Sequence, residues 1–415
     1  MPLFSAFASG EVNNTAADAE RPLHLSFDPP PLLRVDPVAV LAGHEDRVWC
    51  VAWCPTANVL ASSSADKTVR LWSCSRHATG ADGQQEQGQE AESLVWECIY
   101  TLKGEHSRTV RHISWSPSGE CIACASFDRT ATVWKRASEE QGLFEFELEA
   151  VLEGHESEVK CVAWLTDSTL ATCSRDRTVW VWERVDVGEF ECAGVLAGHA
   201  QDVKACAWIP PLEGGAKPLL LSCSYDNTVK VWTESHRRDD WYCLQTLTRH
   251  EETVWALAVQ PVEQSMEALL AEAAAPPSCQ PIIACCSDDR SVTFWKRNAE
   301  GTFQAVATAA GFAARSIYSV GWAPSRCGAI LACGSGDNKI TLLGLHQSPA
   351  CREVHVAVLA EVPSAHDADV NSVAFSAFPQ GTRGDGKQAV GDGGSVLLAS
   401  GGDDNVVRLW RVAAA

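Results

Sequence analysis

Leu41–Pro55 reads LAGHEDRVWCVAWCP, and two later stretches, LEGHESEVKCVAWLT from Leu152 and LAGHAQDVKACAWIP from Leu196, repeat it in register. Each carries Gly-His, a Val four residues past the His and a Trp nine residues past it. The His–Trp spacing recurs as His44/Trp53, His106/Trp115, His155/Trp164 and His199/Trp208. His250 and His366 open further copies in which Val259 and Phe375 take the Trp place, while Ala313/Trp322 marks a copy that has lost its His. Self-similarity at a fixed period signals units that bury their apolar faces against one another.

The second half of each unit places an Asp six residues before an aromatic or apolar position. The pairs are Asp66/Trp72, Asp128/Trp134, Asp176/Trp182, Asp226/Trp232, Asp289/Trp295, Asp337/Leu343 and Asp404/Trp410. Segments such as KTVRLW and RTVWVW alternate β-branched and polar residues after Ser-rich ends and a tight turn, which predicts strands. Each unit therefore supplies four short strands: a (VWCVAW), b (VLASSS), c (TVRLW) and d (ECIYTL). The pattern resembles the WD40 family, and the expected architecture is an all-β, seven-bladed propeller. The stretch Val35–Leu41 reads as a strand d that completes the last repeat and closes the ring, removing exposed edges. The expected organisation is an extension over 1–34 and a propeller over 35–415.

The chain has 415 residues with 53 acidic and 33 basic side chains, a net charge of −20. That balance argues against a protein built to neutralise a phosphate backbone. With 46% apolar and 21% charged residues the composition is that of an ordinary globule. The 16 Trp and 18 Cys stand out. Six Trp fall at the strand-c position and five at the strand-a position, which assigns them to blade packing. Cys50, Cys161 and Cys206 fall in strands a, and Cys124, Cys173, Cys223, Cys285, Cys286 and Cys333 in strands b, where a small, weakly polar side chain suits crowded inner strands. The Cys121/Cys124 pair is odd-spaced on a strand, so its thiols point to opposite faces, and no second pair lies at a zinc-like distance. No metal and no directly bound cofactor is expected. No apolar run reaches 18 residues, and the opening MPLFSAFASGEVNN has no basic segment ahead of an apolar one, so no secretory or transit signal is expected. The thiols are then expected to stay reduced.

A recurring hydroxyl, His and Asp invite comparison with a hydrolytic triad, but a triad is needed once and this set recurs in most repeats. The expectation is a structural hydrogen-bond network. In each blade the loop His (44, 106, 155, 199, 250 or 366) bridges the turn Asp and a strand-b hydroxyl, and the strand-c Trp N–H closes the chain. The sixth blade, with Ala313 and Leu343, is expected to rely on apolar packing. No catalytic residue is assigned and no enzyme activity is expected.

Chain direction places the d–a and b–c turns on one face, here called the top. The long insertions, Ser73–Ser93, Ile209–Pro218, Gln260–Gln280 and Ser376–Ser395, belong to the opposite face; the first is polar and expected to be disordered. Three positions per repeat should project from the top: the residue before the turn Asp, and those three and five after the loop His. They give Arg47, Trp49, Arg111, Phe127, Lys160, Arg175, Lys204, Tyr225, Trp255 and Tyr318 as partner-binding candidates, with Asp288, Asp369 and Asp403 forming an acidic arc opposite. Aromatic and Arg side chains on a rigid surface are typical of interaction hot spots. Glu158 with Lys160 and Asp202 with Lys204 are the pairings expected if these charges merely neutralise one another.

Particular words go beyond the WD40 pattern: HSRTVRHISWSPSGECIACASFD from His106, EGHESEVKCVAW from Glu153, LATCSRDRTVWVWE from Leu170, SCSYDNTVKVW from Ser222, HEETVWALAV from His250 and CSDDRSVTFW from Cys286. RSIYSVGW and DVNSVAF follow in the last two repeats. In this order they resemble the Cia1-type family of cytosolic iron–sulfur protein assembly proteins, over roughly Val35 to Trp410. The resemblance implies a scaffold of the cytosolic iron–sulfur targeting complex, helping deliver [4Fe–4S] clusters to cytosolic and nuclear apoproteins. Its implied partners are a small MIP18-type protein, a HEAT-repeat adaptor, an iron-only-hydrogenase-like cluster carrier and the client apoproteins, with no nucleic acid and no membrane. It also implies that the functionally important surface Arg is Arg175, in the Cys-Ser-Arg-Asp turn. The implied location is the cytoplasm, extending to the nucleus. Ubiquitin-ligase substrate receptor and chromatin-complex subunit remain the alternative, although the strand-c ends WSCS, WKRA, WERV, WTES, WKRN and WRVA carry no Trp-Asp-x-Arg adaptor motif.

Overall fold

The computed structural model describes residues 33–77, 93–137, 144–211, 216–235, 240–261, 280–347, 354–379 and 395–415. Most of the expected insertions Ser73–Ser93, Gln260–Gln280 and Ser376–Ser395, part of Ile209–Pro218 and nearly all of the 1–34 extension lie outside them. The chain forms seven antiparallel four-stranded sheets, each in the order a-b-c-d. Blade 1 comprises Val48–Trp53, Val59–Ser64, Val69–His77 and Ser93–Leu102. Each inner strand a packs on the next, and that of blade 7 packs on that of blade 1, so the sheets close into a propeller around a channel.

Blade 7 is built from both ends of the described chain. Val370–Pro379, Val396–Gly402 and Val407–Ala414 are joined by Leu33–Leu41, which begins two residues ahead of the expected Val35. The pairing runs from Leu33 opposite Ala414 to Leu41 opposite Val407, with an irregularity between Pro37 and Ala39. A proline is tolerated here because the strand pairs on one side only and bulges at that point.

Strand b is buried along its whole length in blades 1, 2 and 4, reading VLASSS, CIACAS and LLLSCS. It lies between strands a and c and under the adjoining blades, so small side chains alternate with Leu60, Ile122 and Leu220, each 0% exposed. The strand-a tryptophans stitch the ring. Their Nε1 groups donate to a backbone carbonyl on the preceding blade: Trp53 to Ala374, Trp115 to Ala52, Trp208 to Ala163 and Trp322 to Ala258, each at 3.1 Å, and Trp164 to Ser114 at 3.2 Å. Each indole thus satisfies its one donor while burying its ring. Outer aromatics pack edge-on against them, as Trp96 does on Trp53 and Trp241 on Trp208.

The residue after every turn Asp has positive φ: Lys67, Arg129, Arg177, Asn227, Arg290, Asn338 and Asn405. The turn Asp offsets that strain by accepting the backbone N–H two residues on, as Asp66 does from Thr68 at 2.9 Å. In blade 6, Ala313 and Leu343 are buried in one apolar cluster with Phe294, Ile317 and Leu331, and Asp337 still accepts the backbone N–H of Ala314 at 2.8 Å.

Candidate functional site: a cation–aromatic mouth over the channel

The top face rests on the repeated polar chains. In blade 1, His44 Nδ1 meets Asp66 and Nε2 meets the Ser62 hydroxyl, both at 2.8 Å, and Trp72 Nε1 donates to Ser62 at 2.8 Å. Blade 3 repeats this with His155, Asp176, Thr172 and Trp182. Blade 4 uses His199, Asp226, Ser222 and Trp232, and blade 7 uses His366, Asp404, Ser400 and Trp410. Burial opposes ionisation of these aspartates, but the paired histidine and backbone N–H groups hold Asp176, Asp289 and Asp404 down at about 2.

Two blades depart from the expected strand-b hydroxyl. In blade 2 that position is Cys124, and Thr132, opposite it on strand c, supplies the oxygen for His106 and Trp134, each at 2.9 Å. His106 still meets Asp128 at 2.9 Å. Blade 5 corrects the expectation further. His250 holds Asp289 at 2.7 Å, but Cys285 stands at the hydroxyl position. Thr293 stands opposite Cys285 as Thr132 stands opposite Cys124, yet its hydroxyl, His250 Nε2 and Trp295 Nε1 are buried without partners. Trp295 packs in the core but lies outside the hydrogen-bonded chain.

Above these chains, eight of the ten partner-binding candidates line one cavity of about 350 Å³, namely Arg47, Trp49, Arg111, Phe127, Lys160, Lys204, Trp255 and Tyr318, and Asp369, Asn371 and Asp403 complete its wall. Arg111 lies over the Trp49 ring at 4.7 Å, Lys160 over Phe127 at 4.1 Å, and Lys204 over Tyr225 and Trp255 at 4.1 and 4.8 Å. Trp255 meets Tyr318 edge-on at 5.3 Å and donates its N–H to Asp288 at 2.6 Å. Tyr225 and Arg175 stand outside the cavity wall, with the Arg175 side chain 57% exposed.

The charges are distributed unevenly. Of the acidic arc, Asp403 faces Arg47 at 3.5 Å and Asn371 at 2.7 Å, Asp369 faces Arg315 at 3.3 Å, and Asp288 holds Trp255. Glu158, expected beside Lys160, instead takes Arg108 and Arg175, each at 3.3 Å. Its carboxyl, despite burial, is held at about 2 by the Ser157 hydroxyl, a backbone N–H and nearby cations. Asp202 does reach Lys204, at 3.8 Å, and Arg175 at 4.0 Å. Lys160 is left on an aromatic face, and burial, then repulsion from Lys204 and Arg111, lowers its ammonium to about 8. Lys204 is lowered too, again chiefly by burial. The mouth therefore concentrates cations that would gain from an incoming anion.

Two contributors escaped the sequence reading. Asn371 is five residues after His366, where the register rule would have found it; it also donates to the Val48 carbonyl at 3.0 Å. Arg108 contacts the Phe127 carbonyl at 2.7 Å from a position that the rule does not sample. In the wall of the channel, where Cys161 and Cys206 line the cavity and Cys173 is buried behind them, the three sulfurs lie within 4.8 Å of one another. They come from three strands, 12 and 33 residues apart in sequence, a spacing with no motif value.

The profile described as WD domain, G-beta repeat matches residues 35–73, 96–135, 146–183, 190–233, 241–296 and 358–411. The chain belongs to the WD40 repeat family. The longest unmatched interval, 297–357, holds strands a to c of blade 6, which lacks the His and the strand-c Trp. Among similar proteins is a probable cytosolic Fe–S cluster assembly factor of Schizosaccharomyces japonicus, 38% identical over 35% of this chain and 20% of that protein. A probable cytosolic iron–sulfur protein assembly protein 1 of Candida glabrata is 37% identical over 51% of this chain and 58% of its own length. A Caenorhabditis elegans homologue with a corresponding name is 40% identical over 33% of this chain and 36% of its own. The matches thus span less than two thirds of these relatives. No helix among the described residues is long and apolar enough to cross a membrane.

Proposed function

We propose that this WD40 protein is a scaffold subunit of the cytosolic iron–sulfur cluster targeting machinery, and that its top face docks the other subunits. The observation carrying this reading is the cation–aromatic mouth: Arg111, Lys160 and Lys204 on aromatic faces at 4.1–4.8 Å, in a face framed by rigid strands. The names of the relatives supply the pathway. A MIP18-type protein, a HEAT-repeat adaptor, an iron-only-hydrogenase-like carrier and client apoproteins are the partners on this reading. The chain works by binding and not by catalysis, since its one recurring acid–base set is spent on holding blades together. The cluster is carried by those partners, in the cytoplasm and in the nucleus.

Arg175 extends the basic surface beyond the cavity and is exposed, so its replacement tests docking without touching the core. Arg175→Glu sets a new carboxylate beside Glu158 and Asp202. The variant protein should keep the wild-type melting temperature and lose co-purification of the MIP18-type partner or of iron–sulfur clients. Unchanged recovery of both would sink the assignment, and recovery of a ligase adaptor in their place would favour a substrate receptor.

A further inference from the structure

We propose that Cys161, Cys173 and Cys206 form a site for one thiophilic cation, Zn²⁺ in the first instance, at the junction of blades 3 and 4. This goes beyond the docking role and does not depend on it. Among the described residues this is the one group of three metal-ligating side chains whose ligand atoms all lie within 4.8 Å. Tetrahedral Zn²⁺ with Zn–S bonds of about 2.3 Å sets sulfurs about 3.8 Å apart, so closing the trio takes movements of about 1 Å.

The scaffold holds the three thiols in place. Cys161 and Cys173 are direct cross-strand partners, which fixes their separation. Cys206 arrives from the next blade, tied to blade 3 by the Trp208 indole on the Ala163 carbonyl at 3.1 Å. Without metal, the thiols lean on carbonyls: Cys161 on Cys206 and Cys173 on Val203, both at 3.7 Å. A fourth ligand stands at hand in His112, whose Nδ1 is 3.6 Å from Cys161 Sγ. Three thiolates and one imidazole are a donor set that Zn²⁺ favours.

Access and charge agree with this chemistry. Cys161, Cys206 and His112 line the channel cavity of about 450 Å³, so an ion has a route from solvent. Binding releases three thiol protons to water and forms three Zn–S bonds, with no change of oxidation state; His112 donates a neutral lone pair. The product carries one net negative charge, and Arg111 and Lys204 line the same cavity. Thiolates on separate irons of a cluster stand farther apart than this trio, so the spacing suits a single ion.

The full chain, reduced and stripped of metal, is titrated with Zn²⁺ against a chromophoric chelator and in parallel with Co²⁺. The expected result is one ion per chain, with an intense thiolate-to-Co²⁺ charge-transfer band and the visible bands of a tetrahedral ion. Cys173→Ala should weaken binding at least ~100-fold, at or beyond the upper end of the effect of an outer-shell partner. Cys124→Ala, which removes a buried thiol outside the trio, should bind as the wild type does. A second measurement needs no variant: Zn²⁺ should protect Cys161, Cys173 and Cys206 from alkylation under mild denaturation. Wild-type affinity no greater than that of Cys173→Ala, or protection confined to other cysteines, overturns the site.

Discussion

Exchanging one sulfur for oxygen should have opposite effects in neighbouring blades. Cys285 occupies the hydroxyl position of blade 5, where His250 Nε2 and Trp295 Nε1 are buried without partners. Cys285→Ser places an Oγ where Ser62 sits in blade 1, able to donate to the imidazole nitrogen and accept the indole N–H. Two hydrogen bonds contribute about 1–3 kcal/mol together, against about 1 kcal/mol for burying a hydroxyl in place of a thiol. The expected net gain is about 1 kcal/mol. In blade 6, Cys333 has neither partner, because Ala313 and Leu343 replace the His and Trp and both pack in an apolar cluster. Cys333→Ser gains neither the imidazole nor the indole bond, has only the facing Thr341 hydroxyl within its strand pair, and should cost about 1 kcal/mol. Cys124→Ser should also give no gain, since Thr132 already supplies the oxygen in blade 2. Urea unfolding of the three variants beside the wild type reads the result directly. If Cys285→Ser and Cys333→Ser shift the midpoint in the same direction, the hydrogen-bond account of blade 5 is wrong.

Three other outcomes follow from the same geometry. Asp176, Asp289 and Asp404 have folded-state values near 2 against an ordinary 3.8, so each contributes about 2 kcal/mol that is present above pH 4 and lost as pH falls towards 2. Acid titration of stability should therefore be steep in that window, and Asp289→Asn should flatten it; an unchanged slope would refute the attribution. Lys160 titrates near pH 8 in the free protein, and an anionic partner seated beside it would raise that value. Partner affinity measured by calorimetry should then fall as pH rises through 8, with proton uptake on binding, and Lys160→Met should reduce both the pH dependence and the proton uptake. Gly402→Ala would set a Cβ 2.7 Å from His366 Nδ1 and 2.9 Å from the Asp369 carbonyl. It should destabilise the fold by about 3 kcal/mol in thermal unfolding.

The seven blades were legible because the turn Asp of every repeat, and the His and strand-c Trp of six of them, are demanded by one local geometry, so their spacing survives in the chain. Most of the mouth was legible for a related reason: strand alternation settles which side chains leave the top of a blade. What the chain did not reveal depends on neighbours far away in sequence. Glu158 lies two residues from Lys160, yet it pairs with Arg108 and Arg175, which approach from other turns. Thr132 replaces a strand-b hydroxyl from the facing strand, a substitution visible only once register is known. Cys285 looked like one more small inner residue, although it interrupts a polar chain. The thiol trio was hidden for the same reason, since it is assembled from three strands in two blades.

The closing of blade 7 has a temporal consequence. The Trp stitches from blades 2, 3, 4 and 6 join residues 45 to 64 apart in sequence, so each can form soon after its second strand appears. The Trp53 stitch to Ala374 spans 321 residues. Until Val370–Pro379 is made, blade 1 has no neighbour on one flank and its inner strand stays open, and the pairing of Val407–Ala414 with Leu33–Leu41 then completes the blade that covers it. Long-range closure of this kind is slow because its loop entropy is lost before its contacts form. The nascent chain therefore presents one unpaired flank while the 321 residues from Trp53 to Ala374 are made, and that clasp is where a folding helper would act.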